Sequence, residues 1–174
     1  ANSLLVMYLG LELLALSMYT LVAFNRDSSQ SSEAAMKYFV LGAMASGLLL
    51  YGISLLYGLS GKLDIAGIAT WVSTQDVLHN IPLLFALVFI VAGIAFKFGA
   101  VPFHMWVPDV YHGAPLAVTV FLGSVPKIAA VAMLLRVLAE TLGGAVAGWS
   151  QMMMVLAVLS ILLGNFAAVA QFNL

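Results

Sequence analysis

The sequence contains no cysteine, and only 7% of its 174 residues are Asp, Glu, Lys or Arg. Soluble domains carry about a quarter of their residues as charges. The missing thiols exclude disulfide frameworks, thiolate metal sites and thiol catalysis. Six Lys/Arg against seven Asp/Glu give a net charge of -1, so there is no basic patch to neutralise phosphates, and nucleic-acid binding is excluded. No Gly-rich dinucleotide fingerprint follows a strand-like run. Charges this sparse could not cover a soluble surface. What the chain does have is hydrophobic residues, at 64%. The class that remains is an integral membrane protein. The chain begins Ala1-Asn2-Ser3 and its apolar pattern continues to near Leu174. We therefore expect no signal peptide, and a piece of a longer protein.

A bilayer core is crossed by roughly 20 apolar residues as helix. The pattern predicts an all-α bundle of about five spans: residues 3–24, 34–59, 81–111, 115–138 and 150–171. The runs are long and lack a period of two, which argues against strands. Asn25-Arg26-Asp27-Ser28-Ser29 reads as a polar turn, with Ser31-Ser32-Glu33 as a cap for the next helix. Ile65, Ile68, Ala69 and Val72 repeat at helical spacing beside Trp71, suggesting a short interfacial helix. Gly143-Gly144 marks the last turn. Tyr57, Trp71, Trp106, Tyr111 and Trp149 fall near span ends, as an aromatic belt would. Arg26 and Lys37 on one side balance Lys62 and Arg136 on the other, so the positive-inside rule does not orient the chain.

The informative residues are charges inside spans, each costing about 2.5–3.5 kcal/mol at a helix centre. Glu12 lies mid-span, in a stripe with Tyr8, Ala15 and Tyr19. Lys97 ends an apolar run that resumes after Gly99-Ala100-Val101-Pro102. Pro102 lacks an N–H and disfavours helix at Val101. If residues 81–111 cross as one interrupted helix, Lys97 sits at its midpoint, and a broken helix with a mid-depth charge is a transporter feature. Lys127 lies near the centre of the fourth span. Pro126 precedes it and frees the Leu122 carbonyl, while Gly123 and Ser124 offer a thin polar lining. Three ionisable groups at one depth resemble a proton relay. Desolvation loosens an ammonium's proton and a nearby carboxylate tightens it, so pairing with Glu12 would hold the proton on Lys97 and opening would pass it to Lys127. Such a pair titrates as a unit.

Simpler readings stand beside these. A buried lysine can serve a structural ion pair, Lys97 can be a snorkelling helix-end residue, and Glu12 can be a helix-packing hydrogen bonder. Lys37, within the first turns of its helix, reads as snorkelling. His104 and His112 read as interfacial hydrogen bonders, not metal ligands. Gly42, Ser46 and Gly47 read as close-packing residues.

Two blocks carry a family resemblance. One runs Glu33-Ala34-Ala35-Met36-Lys37-Tyr38-Phe39-Val40-Leu41-Gly42-Ala43. The other is Phe96-Lys97-Phe98-Gly99-Ala100-Val101-Pro102-Phe103-His104-Met105-Trp106-Val107-Pro108-Asp109-Val110-Tyr111-His112-Gly113-Ala114-Pro115. With its Lys, Pro-Phe-His-x-Trp and Pro-Asp, the second resembles the signature of the antiporter-like membrane subunits of respiratory complex I. The resemblance covers essentially the whole chain. It implies an inverted-repeat fold with one discontinuous helix per repeat. Residues 1–174 would form a single membrane domain holding the first repeat's core and the start of the second. It also implies that Glu12, Lys97 and Lys127 form the relay, with Lys37 and His104 accessory. The stretch Arg26 to Glu33 and His112 would face the cytoplasm of a bacterial inner membrane.

Function by this resemblance is proton translocation within NADH:quinone oxidoreductase. The chain would act as a membrane subunit of that enzyme with no redox centre, cofactor or metal of its own. NAD, FMN, iron–sulfur clusters and quinone would belong to partner subunits. Other membrane subunits, lipids and protons would be its partners. A subunit of a multisubunit cation/proton antiporter or membrane-bound hydrogenase is one alternative. A passive structural membrane component is another.

Overall fold

The computed structural model describes residues 2–170. Seven α-helices follow one another: α1 (Leu4–Val22), α2 (Ser29–Ser60), α3 (Ile65–Val72), α4 (Ile81–Phe98), α5 (Trp106–Gly113), α6 (Leu116–Leu134) and α7 (Val146–Ala170). A π-helical segment, Leu135–Thr141, prolongs α6, and a 3-10 turn, Gly143–Ala145, leads into α7. Five of these stretches are long and apolar enough to cross a membrane: α1, α2, α4, α6 with its extension, and α7. The expected all-α bundle is what forms, and no strand occurs among the described residues. Residue 171, the expected end of the fifth span, lies outside them.

The helix ends follow local chemistry. Ser28, not Ser31 or Ser32, caps α2: its hydroxyl accepts the Ser31 N–H at 3.3 Å. Ser31 instead donates to the Val22 carbonyl at 2.6 Å and ties the end of α1 to α2. Asp64 and Asn80 cap α3 and α4 in the same way, accepting from Gly67 and Leu83. Ile65, Ile68 and Val72 of α3 are buried in the core, so this short helix closes one end of the bundle.

The helix break comes earlier than the proline. Gly99 adopts φ 70° and stops α4, with the Ala100 N–H returning to the Ala95 carbonyl at 3.0 Å. This left-handed glycine stop satisfies the last carbonyls of the helix. The peptide between Val101 and Pro102 is cis. By contrast, Pro126 is accommodated inside α6.

The long helix α2 is the spine. Its 32 residues span about 48 Å at 1.5 Å each, more than the roughly 30 Å hydrocarbon slab. Helix α4 runs antiparallel to it at backbone contact. A Cβ placed on Gly52 would fall 2.9 Å from the Ala86 carbonyl, and one on Gly93 3.1 Å from that of Ala45. Beyond the break, α5 continues along the same track, with Gly113 against Gln30 and Ala34. The interrupted helix therefore follows α2 almost end to end, with Lys97 opposite the middle. Two apolar cores fill the bundle on either side of that level. One gathers Leu49, Ile53, Leu56, Leu83, Leu87, Ile90 and Val137. The other gathers Met18, Tyr19, Val22, Tyr38, Phe96, Trp106 and Leu122.

Candidate functional site

Glu12, Ser46 and Lys97 meet at the seam between the two cores. Each sits between neighbours assigned to different cores: Leu11 and Ala15, Ala45 and Leu49, Phe96 and Phe98. The Lys97 ammonium lies 3.6 Å from Glu12 Oε1, and the two side chains are 13% and 22% exposed. Ser46 joins them: its hydroxyl donates to Glu12 Oε1 in a short hydrogen bond and stands 3.4 Å from Lys97 Nζ. Three helices thus supply a carboxylate, a hydroxyl and an ammonium to one point. A charge at this depth is costly unless paired. Ser46, expected from its sequence context to be a packing residue, contributes its hydroxyl to the site. The only sequence signal for it was its place in a small-residue stripe facing the spans that carry Glu12 and Lys97.

The backbone beside Lys97 is held from two sides. Trp106 Nε1 donates to the Phe96 carbonyl at 3.1 Å. Its ring stacks on Tyr38, with centroids 4.7 Å apart, and is 3% exposed. Trp106 is therefore a buried clamp across the break and not part of an aromatic belt. Val101 N–H finds Ser160 of α7, at 3.0 Å. The Phe96 carbonyl and the Val101 amide at the break thus each find a side-chain partner, as a bilayer requires of buried backbone.

Lys127 stands apart from this triad. Its ammonium sits 5.8 Å from the centre of the Tyr111 ring, within cation–π range. Among the described residues no carboxylate pairs with it. Ser124 does not line its site, because that hydroxyl turns back to the Val120 and Phe121 carbonyls. Tyr111, also expected in the belt, reaches inward, and its hydroxyl is buried without a protein partner. A small cavity of about 20 Å³ lies beside Lys97, lined by Tyr38, Trp106, Leu122 and Pro126 among others. That volume admits about one water molecule.

Lys37 and His104 lie elsewhere. Lys37 is exposed near the start of α2 and bridges Glu33, at 2.9 Å, and Asp109 of α5, at 3.0 Å. It is nine residues from Ser46, about 13 Å along the helix. His104 lies in the break with Nδ1 buried and unpartnered, bonded to none of Glu12, Lys97 or Lys127. No cluster of metal-ligating side chains occurs among the described residues.

A broken helix carrying a lysine against a carboxylate at mid-depth defines the class of antiporter-like membrane proteins. The chain belongs to the family described as NADH:quinone oxidoreductase/Mrp antiporter, TM, whose model matches residues 1–174. It is 60% identical over 174 residues to the NADH-quinone oxidoreductase subunit N of Thiobacillus denitrificans, covering all of this chain and 36% of that one. The chain thus spans about a third of the length of the curated relatives it matches. A chain of respiratory complex I from Thermus thermophilus, solved with bound aureothin, superposes with TM-score 0.80 at 37% identity, covering 98% of this chain and 35% of that chain. A chain of the Mrp complex from Dietzia shares the fold alone, at TM-score 0.83 and 22% identity, over 98% of this chain and 31% of its own.

Proposed function

We propose that this chain is a proton-handling part of a membrane subunit of NADH:quinone oxidoreductase in a bacterial inner membrane. The observation that carries this reading is the Glu12–Ser46–Lys97 contact beside a helix break at mid-depth. With the pair closed, Glu12 holds the charged ammonium. When it opens, Lys97 releases one proton to a bridging water and becomes a neutral amine. The Lys127 amine takes that proton and becomes an ammonium, so one proton advances with no net change in charge. Tyr111 stands beside the receiving group. Lys37 and Asp109 hold α5 against α2 at the membrane surface, and His104 has an accessory place in the break. Redox chemistry on NAD, FMN, iron–sulfur clusters and quinone belongs to partner subunits.

Glu12→Gln and Lys127→Ala, placed in the assembled complex in inverted membrane vesicles, test this reading. Acidification of the lumen on NADH addition should fall sharply in both while the complex still assembles. Wild-type acidification in both would favour the passive structural alternative. The family also includes Mrp antiporters; transport that depends on sodium instead of NADH would favour that reading.

A further inference from the structure

Helix α7 reaches the break through one hydroxyl. Ser160 Oγ accepts the Val101 N–H at 3.0 Å and donates to the Leu156 carbonyl, one turn back, at 2.6 Å. Val101 is buried, at 5% exposure, where an amide without a partner is costly. Trp149, Met152, Met153 and Leu156 of α7 pack against the larger core. Between α7 and α4 lies an apolar cavity of about 190 Å³, bordered by Ile94, Phe98, Met153, Leu156 and Ser160 itself. The helix therefore has room to shift against α4, and the Ser160 bond would carry such a shift into the break. Lys97 lies between the two tethered points, the Phe96 carbonyl held by Trp106 and the Val101 amide held by Ser160.

We propose that Ser160 is a positioning residue: through the Val101 amide, α7 sets where Lys97 stands relative to Glu12, so that a displacement of α7 opens or closes that pair. The inference rests on the proton-transfer reading and adds its control. It makes α7 the mechanical input to Lys97.

The test uses the whole complex in lipid nanodiscs and liposomes, with Ser160→Ala, Ser160→Thr and Lys97→Ala. Amide exchange of the peptide covering residues 99–105 reports the tether directly. In Ser160→Ala it should quicken roughly tenfold, the equivalent of one lost hydrogen bond. Protons moved per NADH should fall, and the pH profile of pumping should shift. Ser160→Thr, which keeps the hydroxyl, should restore all three readouts. Unchanged exchange in Ser160→Ala overturns the inference. So does faster exchange with wild-type pumping and pH profile, which would make the serine a simple backbone cap. Loss of pumping in Lys97→Ala with wild-type pumping in Ser160→Ala sinks the inference and leaves the reading intact. Wild-type pumping in Lys97→Ala overturns the reading itself.

Discussion

Replacing Glu12 with Gln leaves the Lys97 ammonium inside the bundle without its counter-charge. At 3.6 Å and an effective dielectric near 20, the attraction is about 4–5 kcal/mol. Solvent screens it weakly, since the side chains are 13% and 22% exposed. Removing one partner of such a pair costs about 3–5 kcal/mol, because the other charge stays buried. Glu12→Gln and Lys97→Met should each fall in that range. Lys97→Met should sit at its lower end, as Ser46 still donates to the stranded carboxylate. The double variant removes both charges and should cost less than either single change. The coupling energy is then at least about 3 kcal/mol. Reversible unfolding of the purified full-length subunit in mixed micelles, titrated with dodecyl sulfate, measures all three. Additivity within about 0.5 kcal/mol would mean that the two groups do not hold each other, and the pairing at the seam would be refuted.

Four further outcomes follow from the same geometry. Ser46→Ala should destabilise by about 1–3 kcal/mol, less than Glu12→Gln in the same unfolding assay. Gly93→Ala should cost about 1–3 kcal/mol by overpacking, because its new Cβ would lie 2.6 Å from Leu49 Cβ. Gly47 has nothing within 4 Å, and Gly47→Ala should instead stabilise by about 0.5–1 kcal/mol; both changes are read from unfolding midpoints. Lys127→Leu should leave stability equal or higher, since it replaces a polar amine without a carboxylate partner by an apolar side chain at mid-span, while pumping in vesicles is lost.

Much of the bundle could be read from the sequence, because hydrocarbon punishes errors heavily. Glu12 and Lys97 stand out in apolar runs, and their meeting follows once both are required to face protein. The break was visible through Pro102, but the stop belongs to Gly99, whose φ of 70° no spacing rule reveals. Ser46 was hidden because a small polar residue in a packing stripe looks the same whether it pairs or merely fits. Trp106 looked like a belt residue because proline-rich sequence resembles a span end. Here the chain resumes along α2, and the indole turns inward to the Phe96 carbonyl. Ser160 was invisible for a related reason. A serine in an apolar helix ordinarily bonds its own preceding turn, and Ser160 does so; only the tertiary structure adds Val101. Lys127 was correctly placed in its helix, yet its neighbour, Tyr111, comes from a different element.

Protons moved per NADH oxidised, measured in proteoliposomes holding the assembled complex with Lys97→Ala or Lys97→Arg, bear most directly on the central claim. An amine that must release and regain a proton at mid-depth predicts that the ratio falls in both variants, since a guanidinium keeps the charge but not the exchangeable proton. A wild-type ratio in Lys97→Ala, or full recovery in Lys97→Arg, would contradict it: the first would make the lysine dispensable, the second would leave it a fixed charge.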